Sequence, residues 1–254
     1  MRSTNLAASA EKTPIIEVKE LVKAYGGVRA IDGLSLSVAL GELHCVIGPN
    51  GAGKSTFFKL VMGTESPTNG AVLFRGHDIS RLKPFARARL GITIKFQNVP
   101  IYQDLTIAQN LFIPLRRHCG PKQIAAETDR LLDQVHLAGT QDQLARNLSH
   151  GQQQWLSICM SLAAKPVVLL LDEPTAGMSA EETLDTGSIV KKLNEQGVTI
   201  VVIEHDMGFI RQLDGKVSVL HLGKLFAQGS MQEIENDDAV RQIYLGSTSD
   251  QNRH

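Results

Sequence analysis

Ile47-Gly48-Pro49-Asn50-Gly51-Ala52-Gly53-Lys54-Ser55-Thr56 decides how the rest of the chain is read. It follows an apolar, strand-like run, Leu43 to Ile47, and leads into an apolar, helix-like run, Ser55 to Met62. Glycines at 48 and 53, then Lys54 and Ser55, fit a loop whose consecutive backbone N–H groups converge on a polyphosphate. A helix starting there adds the partial positive charge of its N-terminus. In such a loop Lys54 reaches the outer phosphates and the Ser55 hydroxyl completes a Mg2+ shell. Pro49, Asn50, Gly51, Ala52, Gly53 and Thr56 form the rest of the cradle. The plainer alternative is a glycine-rich surface turn that happens to hold a lysine, and the strand before and helix after weigh against it.

A chain of 254 residues can bury a full core, as one large domain or one domain with a sizeable insertion. Lys+Arg and Asp+Glu both number 26, so bulk charge gives no long-range pull on DNA or RNA, and no nucleic acid is expected as partner. Cys45, Cys119 and Cys159 are scattered without a CxxC pair, which fits a reducing compartment and offers no zinc site. The longest uninterrupted aliphatic run, Val167 to Leu171, is far too short to cross a bilayer, so membrane association must come through a partner. Residues 1–14 lack the apolar core of a signal peptide and read as a mobile tail, as do residues 247–254.

Between the tails, Ile15 to Val18 reads as a strand, followed by Leu21 to Gly27, and Leu34, Leu36 and Val38 alternate as another. Tyr25 stands beside two glycines, where its ring either stacks on an adenine or packs at a strand end. Ala71 to Phe74 is strand-like, Pro84 to Leu90 helical, and Ile92-Thr93-Ile94-Lys95-Phe96-Gln97 a strand ending in an amide. From Thr106 to Ala163 apolar residues recur at helical spacing, broken at Cys119-Gly120-Pro121. The expectation is an α/β core with a helical subdomain inserted at about 98–164.

The last helix of that block starts at Leu148-Ser149-His150-Gly151-Gln152. Ser149 with Gln152 makes a capping box, which either simply starts a helix or presents a second anion site at its N-terminus. Val167 to Leu171 then reads as a buried parallel strand delivering Asp172 and Glu173 at its carboxyl end, the edge where open α/β sheets bind ligands. Asp172 suits Mg2+, through water, and Glu173 suits taking a proton from an attacking water. One strand later, Val198 to Ile203 leads to His205 at the same edge, able to donate to a γ-phosphate.

Together these residues resemble an ABC-type ATP-binding subunit over about residues 15–246. Tyr25 matches the aromatic loop, Gly48 to Thr56 Walker A, Gln97 the Q-loop, Leu148 to Gln152 the signature, Val167 to Glu173 Walker B and His205 the switch histidine, in the family's order. The resemblance implies a P-loop NTPase fold: a RecA-like core, an antiparallel β subdomain and the inserted helices. It implies ATP and Mg2+ as cofactors, with Ser55, Gln97 and Asp172 serving the metal. Glu173 would act as base, with His205, Gln97 and Lys54 around the γ-phosphate. The Glu204-His205-Asp206-Met207-Gly208-Phe209 run, the Ala176-Gly177-Met178 turn and Tyr244-Leu245-Gly246 resemble importer ATPases for branched-chain amino acids and urea or short amides. The His150 signature is most similar to the urea type.

In that family the signature of one subunit completes the cradle of another, so Ser149, Gly151 and Gln152 would serve a partner's nucleotide. The implied assembly is a homodimer, or a heterodimer with a sibling ATPase, held to permease subunits at the cytoplasmic face of the membrane. A periplasmic binding protein would be engaged indirectly. Two residues depart from the family pattern: His150 stands where glycine is usual, and Ser179 where an aspartate usually ends the turn after Walker B. The alternatives are a soluble ABC ATPase acting on nucleic acid or ribosomes, and a nucleotide-binding regulator with little turnover. Zero net charge and no basic arm weigh against the first, an intact Glu173 and His205 against the second.

Overall fold

The computed structural model describes residues 14–95 and 101–250, with side chains as far as residue 244. The chain runs β1 (Pro14–Tyr25), β2 (Val28–Ala39), β3 (Leu43–Ile47), α1 (Lys54–Met62), β4 (Asn69–Phe74), β5 (His77–Asp78), α2 (Pro84–Arg89) and β6 (Ile92–Lys95). It continues with α3 (Ile107–Leu115), α4 (Pro121–Gln134), α5 (His150–Leu162), β7 (Val168–Asp172), α6 (Ala180–Glu195), β8 (Thr199–Ile203) and α7 (Met207–Leu213). The end is β9 (Lys216–His221), β10 (Lys224–Gly229), α8 (Met231–Asn236) and α9 (Asp238–Asp250).

Two sheets follow. One is six-stranded in the order β10-β9-β3-β8-β7-β6, parallel except where β10 folds back on β9. The other is four-stranded and antiparallel in the order β2-β1-β4-β5. The α/β P-loop architecture expected from the sequence is the one observed.

Alternate residues of the central strands feed two cores. Cys45, Ile47, Leu169, Leu171, Ile200 and Val202 join the cluster that includes α5, α6 and α7. Val46, Val168, Leu170, Val201 and Ile203 join the cluster of α1 and the antiparallel sheet. A parallel sheet covered on both faces calls for near-continuous apolar strands, which is why β7 and β8 show no polar alternation and the one buried histidine of β3, His44, is hydrogen-bonded to Glu42 and Ser218.

The sequence reads β1 as two pieces, whereas the structure has one strand with a bulge. Glu20 sits at φ 44° and the pairing with β2 slips between Val18 and Leu21. Strict alternation after Ile16 and Val18 would put Glu20 in the core. The extra residue shifts the phase so that Leu21 is buried and Glu20 lies outside, hydrogen-bonded to Ser35.

The helical block holds α3, α4 and α5, which pack on one another. At the far end, α9 runs to Asp250, past the boundary at 246, because a single Gly246 does not stop a helix already nucleated. None of the described helices is long and apolar enough to cross a membrane.

One buried cation fixes the helix that follows the glycine loop. Arg87 of α2 is fully buried and donates to Leu60 O at 2.6 Å, Val61 O at 2.7 Å, Leu82 O at 3.0 Å and Ser80 O at 3.0 Å. The first two are carbonyls of α1's last turn, where the helix dipole is negative. Burial pushes the guanidinium down to about 10, while Asp78 pulls the other way.

Candidate functional site

The glycine loop leaves β3 at Gly48, whose φ is 150°. A Cβ there would lie 2.2 Å from Leu220 O, and one on Gly53, at φ 103°, would lie 2.5 Å from Ala30 O. No larger residue fits at either position. Gly53 is the N-cap of α1, so the helix points its free N–H groups into the loop. Lys54 folds back over it, donating to Gly48 O at 2.6 Å and Pro49 O at 3.1 Å. Burial holds the Lys54 ammonium below its ordinary range, and Glu173 and Asp172 partly offset this.

Those carboxylates arrive on the neighbouring strand end. Asp172 is the last residue of β7, in register with Ile203 of β8. Burial raises its carboxyl and the adjacent Glu173 raises it further, while Lys95 and Lys54 lower it. Glu173 takes the left-handed conformation at φ 44°, its N–H bonded to Ile203 O at 2.9 Å. For a non-glycine residue this costs on the order of 1 kcal/mol and persists only where neighbours impose it. His205 is well exposed, its Nδ1 3.8 Å from Glu173 Oε1 and 3.6 Å from Glu204 Oε2. Lys54, Asp172, Glu173 and His205 therefore gather at the carboxyl edge of the parallel sheet.

Asp172 and the Ser55 hydroxyl are hard oxygen donors, and among the described residues no cluster of three or more His, Cys, Asp or Glu forms a metal cage. Few protein ligands and a polyphosphate cradle fit Mg2+, which keeps water and phosphate oxygens in its shell. Gln97 lies outside the described residues.

Tyr25 ends β1, partly exposed, with the Lys23 ammonium 4.8 Å from its ring centre. Its hairpin reaches the glycine loop through Ala30, the residue whose carbonyl crowds Gly53.

The signature segment is built differently. Ser149 N-caps α5, accepting from Gln152 N at 3.2 Å while its own N–H donates to Gln152 Oε1 at 3.0 Å. Ser149 Oγ also donates to Glu182 of α6 at 3.2 Å, and a Cβ on Gly151 would strike that same carboxylate. His150 Nε2 donates to Ala176 O at 3.0 Å, in the turn after Glu173. Ser179 caps α6 in a box with Glu182. Among the described hydrogen bonds, none joins residues 149–152 to residues 48–56.

Sequence reasoning missed two buried charges behind this edge. Lys95 closes β6 fully buried, its ammonium without a hydrogen-bond partner among the described residues. Burial pushes it down to about 8, against Glu204, Asp172 and Glu173. Glu204 is buried at the end of β8. A lone lysine in Ile92-Thr93-Ile94-Lys95, and an acid directly after an apolar strand, were the available signals.

A family model described as ABC transporter matches residues 31–176. Over 250 residues the chain is 33% identical to the high-affinity branched-chain amino acid transport ATP-binding protein BraF of Pseudomonas aeruginosa, spanning 92% of this chain and 98% of that protein. Over 234 residues it is 31% identical to the lipopolysaccharide export system ATP-binding protein LptB of Haemophilus influenzae, spanning 91% of this chain and 97% of that one. Among solved structures, a dimeric post-hydrolysis state of the cassette MJ0796 bound to ADP and Pi matches with a TM-score of 0.76 at 25% identity, covering 85% of this chain and 98% of that chain.

Proposed function

The chain belongs to the ABC transporter family, as an ATP-hydrolysing subunit, and from that premise we propose that it energises uptake of a small polar solute through separate membrane subunits. The solute class we assign is urea or a short amide, or a branched-chain amino acid. The observation that carries this reading is the alignment with BraF over nearly the whole of both chains. The His150 signature favours the urea type within it. Similarity to LptB supports a second reading, export of a lipid-linked substrate. Both relatives are transporter subunits, which weighs against a soluble factor acting on ribosomes.

Hydrolysis is phosphoryl transfer to water, in which positioning and charge neutralisation do most of the catalysis. Backbone N–H groups of residues 50–54 cradle the phosphates, Lys54 exchanges its loop carbonyls for β- and γ-oxygens, and Tyr25 stacks on the adenine. Ser55, Asp172 and Gln97 would hold Mg2+, which would supply positive charge to offset that of the phosphates. Glu173 takes the proton of the attacking water, and His205 donates to the γ-phosphate. The free N–H groups at the start of α5, with Ser149, Gly151 and Gln152, face the nucleotide of a partner in a head-to-tail pair. The dimeric MJ0796 cassette is the relative that supports such pairing. The exposed apolar residues Tyr102, Phe112 and Ile113 of the helical block fit contact with permease subunits, which would hold the chain at the cytoplasmic face of the membrane.

Uptake of labelled urea, acetamide and leucine by cells with and without this chain tests the reading. Loss of uptake of one of them on deletion is the expected result. Unchanged uptake of all three, with an altered cell envelope, would favour the export reading.

A further inference from the structure

Glu204 has no part in the chemistry assigned above, yet it is a carboxylate only 1% exposed, one residue beyond the end of β8. A buried acid is costly unless donors meet its lone pairs. Here one oxygen accepts from the Thr175 N–H at 3.1 Å and from the Thr175 hydroxyl. The other accepts from the N–H of His205 at 2.9 Å and of Asp206 at 3.5 Å. The two oxygens thus hold two different segments. Thr175 stands two residues beyond Glu173, in the turn that leaves β7, while His205 and Asp206 open the loop into α7.

We infer that Glu204 is a positioning residue for hydrolysis, fastening the turn that carries Glu173 to the loop that carries His205 so that both face one phosphate in fixed register. Two further observations agree. Glu173 keeps its left-handed φ of 44° between two ties to the same strand end, its own N–H on Ile203 O and Thr175 on Glu204. His205 Nδ1 lies between the carboxylates, 3.8 Å from Glu173 and 3.6 Å from Glu204. Glutamine at 204 would keep the shape but not the function, because an amide has one acceptor oxygen and its NH2 would meet the donors of one segment. The inference rests on the roles proposed for Glu173 and His205.

The test uses the full chain with Glu204→Gln, Thr175→Val and Thr175→Ser, and with Glu173→Gln in parallel. Steady-state ATP hydrolysis and the Kd of a non-hydrolysable ATP analogue are measured for each. Misplaced catalytic groups cost rate rather than affinity, so Glu204→Gln and Thr175→Val should lower kcat roughly ten- to a hundredfold while the analogue Kd moves less than about threefold. Thr175→Ser keeps the hydroxyl and should hold kcat within about threefold of the parent. If Glu204→Gln fails to fold, Thr175→Val against Thr175→Ser decides. A parent-like kcat in Glu204→Gln and Thr175→Val, beside an inactive Glu173→Gln, overturns this inference alone, as does a loss of analogue binding that matches the loss of rate. Parent-like turnover by Glu173→Gln overturns the role of Glu173 and this inference with it.

Discussion

The sheet edge around Lys54 and the start of α5 are the two places proposed to receive an anion, and their own polar groups are satisfied in opposite ways. At the edge, Lys54 curls onto loop carbonyls, Glu173 is held in a strained conformation, and Lys95 and Glu204 are buried behind it. At α5, Ser149 sits in an ordinary capping box and leans on Glu182, with nothing left in tension. Strain and buried charge collect where bonds are to be broken. An unstrained helix start suffices where a phosphate only has to be met. On the proposed function, one half of the machinery is therefore poised and the other serves as a docking face.

Four measurements would break or sharpen that contrast. Glu173→Gln should cost roughly 10²- to 10⁴-fold in turnover while leaving nucleotide binding and a trapped closed pair, read by single-turnover hydrolysis and gel filtration with ATP. Retained turnover would remove the poised half. Lys95 should mark the same half through pH. Its folded value of about 8 lies below the ordinary lysine value of about 10.5, so between those values the unfolded chain binds more protons and native stability rises with pH. Relative to Lys95→Met, the parent should gain up to about 3 kcal/mol across that window in denaturant unfolding, and parallel curves would refute it.

Lys54→Ala, next in size, should weaken ATP binding by about 1.5–3 kcal/mol, the range for hydrogen bonds to charged groups, as measured by calorimetry. Ser149→Ala should cost the fold only about 1 kcal/mol as a lost cap, seen in thermal unfolding, and leave ATP affinity intact. It should nevertheless lower hydrolysis, and mixing it with Lys54→Ala should raise turnover above that of either variant alone, because one composite site stays whole. No recovery in the mixture would place the docking face elsewhere.

The glycine loop was legible in the sequence because its demands are local: a strand, positive-φ glycines, a lysine and a helix within ten residues. Asp172, Glu173 and His205 were legible because acids and a histidine ending apolar strands are anomalous without a ligand. The capping box at Ser149 was legible as well, but which surface it serves depends on a second chain. Glu204 and Lys95 escaped notice because their burial is decided by residues far away in sequence, Thr175 for one and the neighbouring strand ends for the other. The bulge at Glu20 escaped for a related reason: alternation shows a break in phase but not whether the strand stops or slips.

Arg87 grips the far end of α1, which ties the foot of the helix behind the glycine loop and resists its sliding along its own axis. On the proposed function, recoil from a lost charge would go into rotation about that anchored foot or into the loop itself. A change of a single phosphate would then favour a swing over a piston stroke, through an arginine that lies outside the proposed cradle.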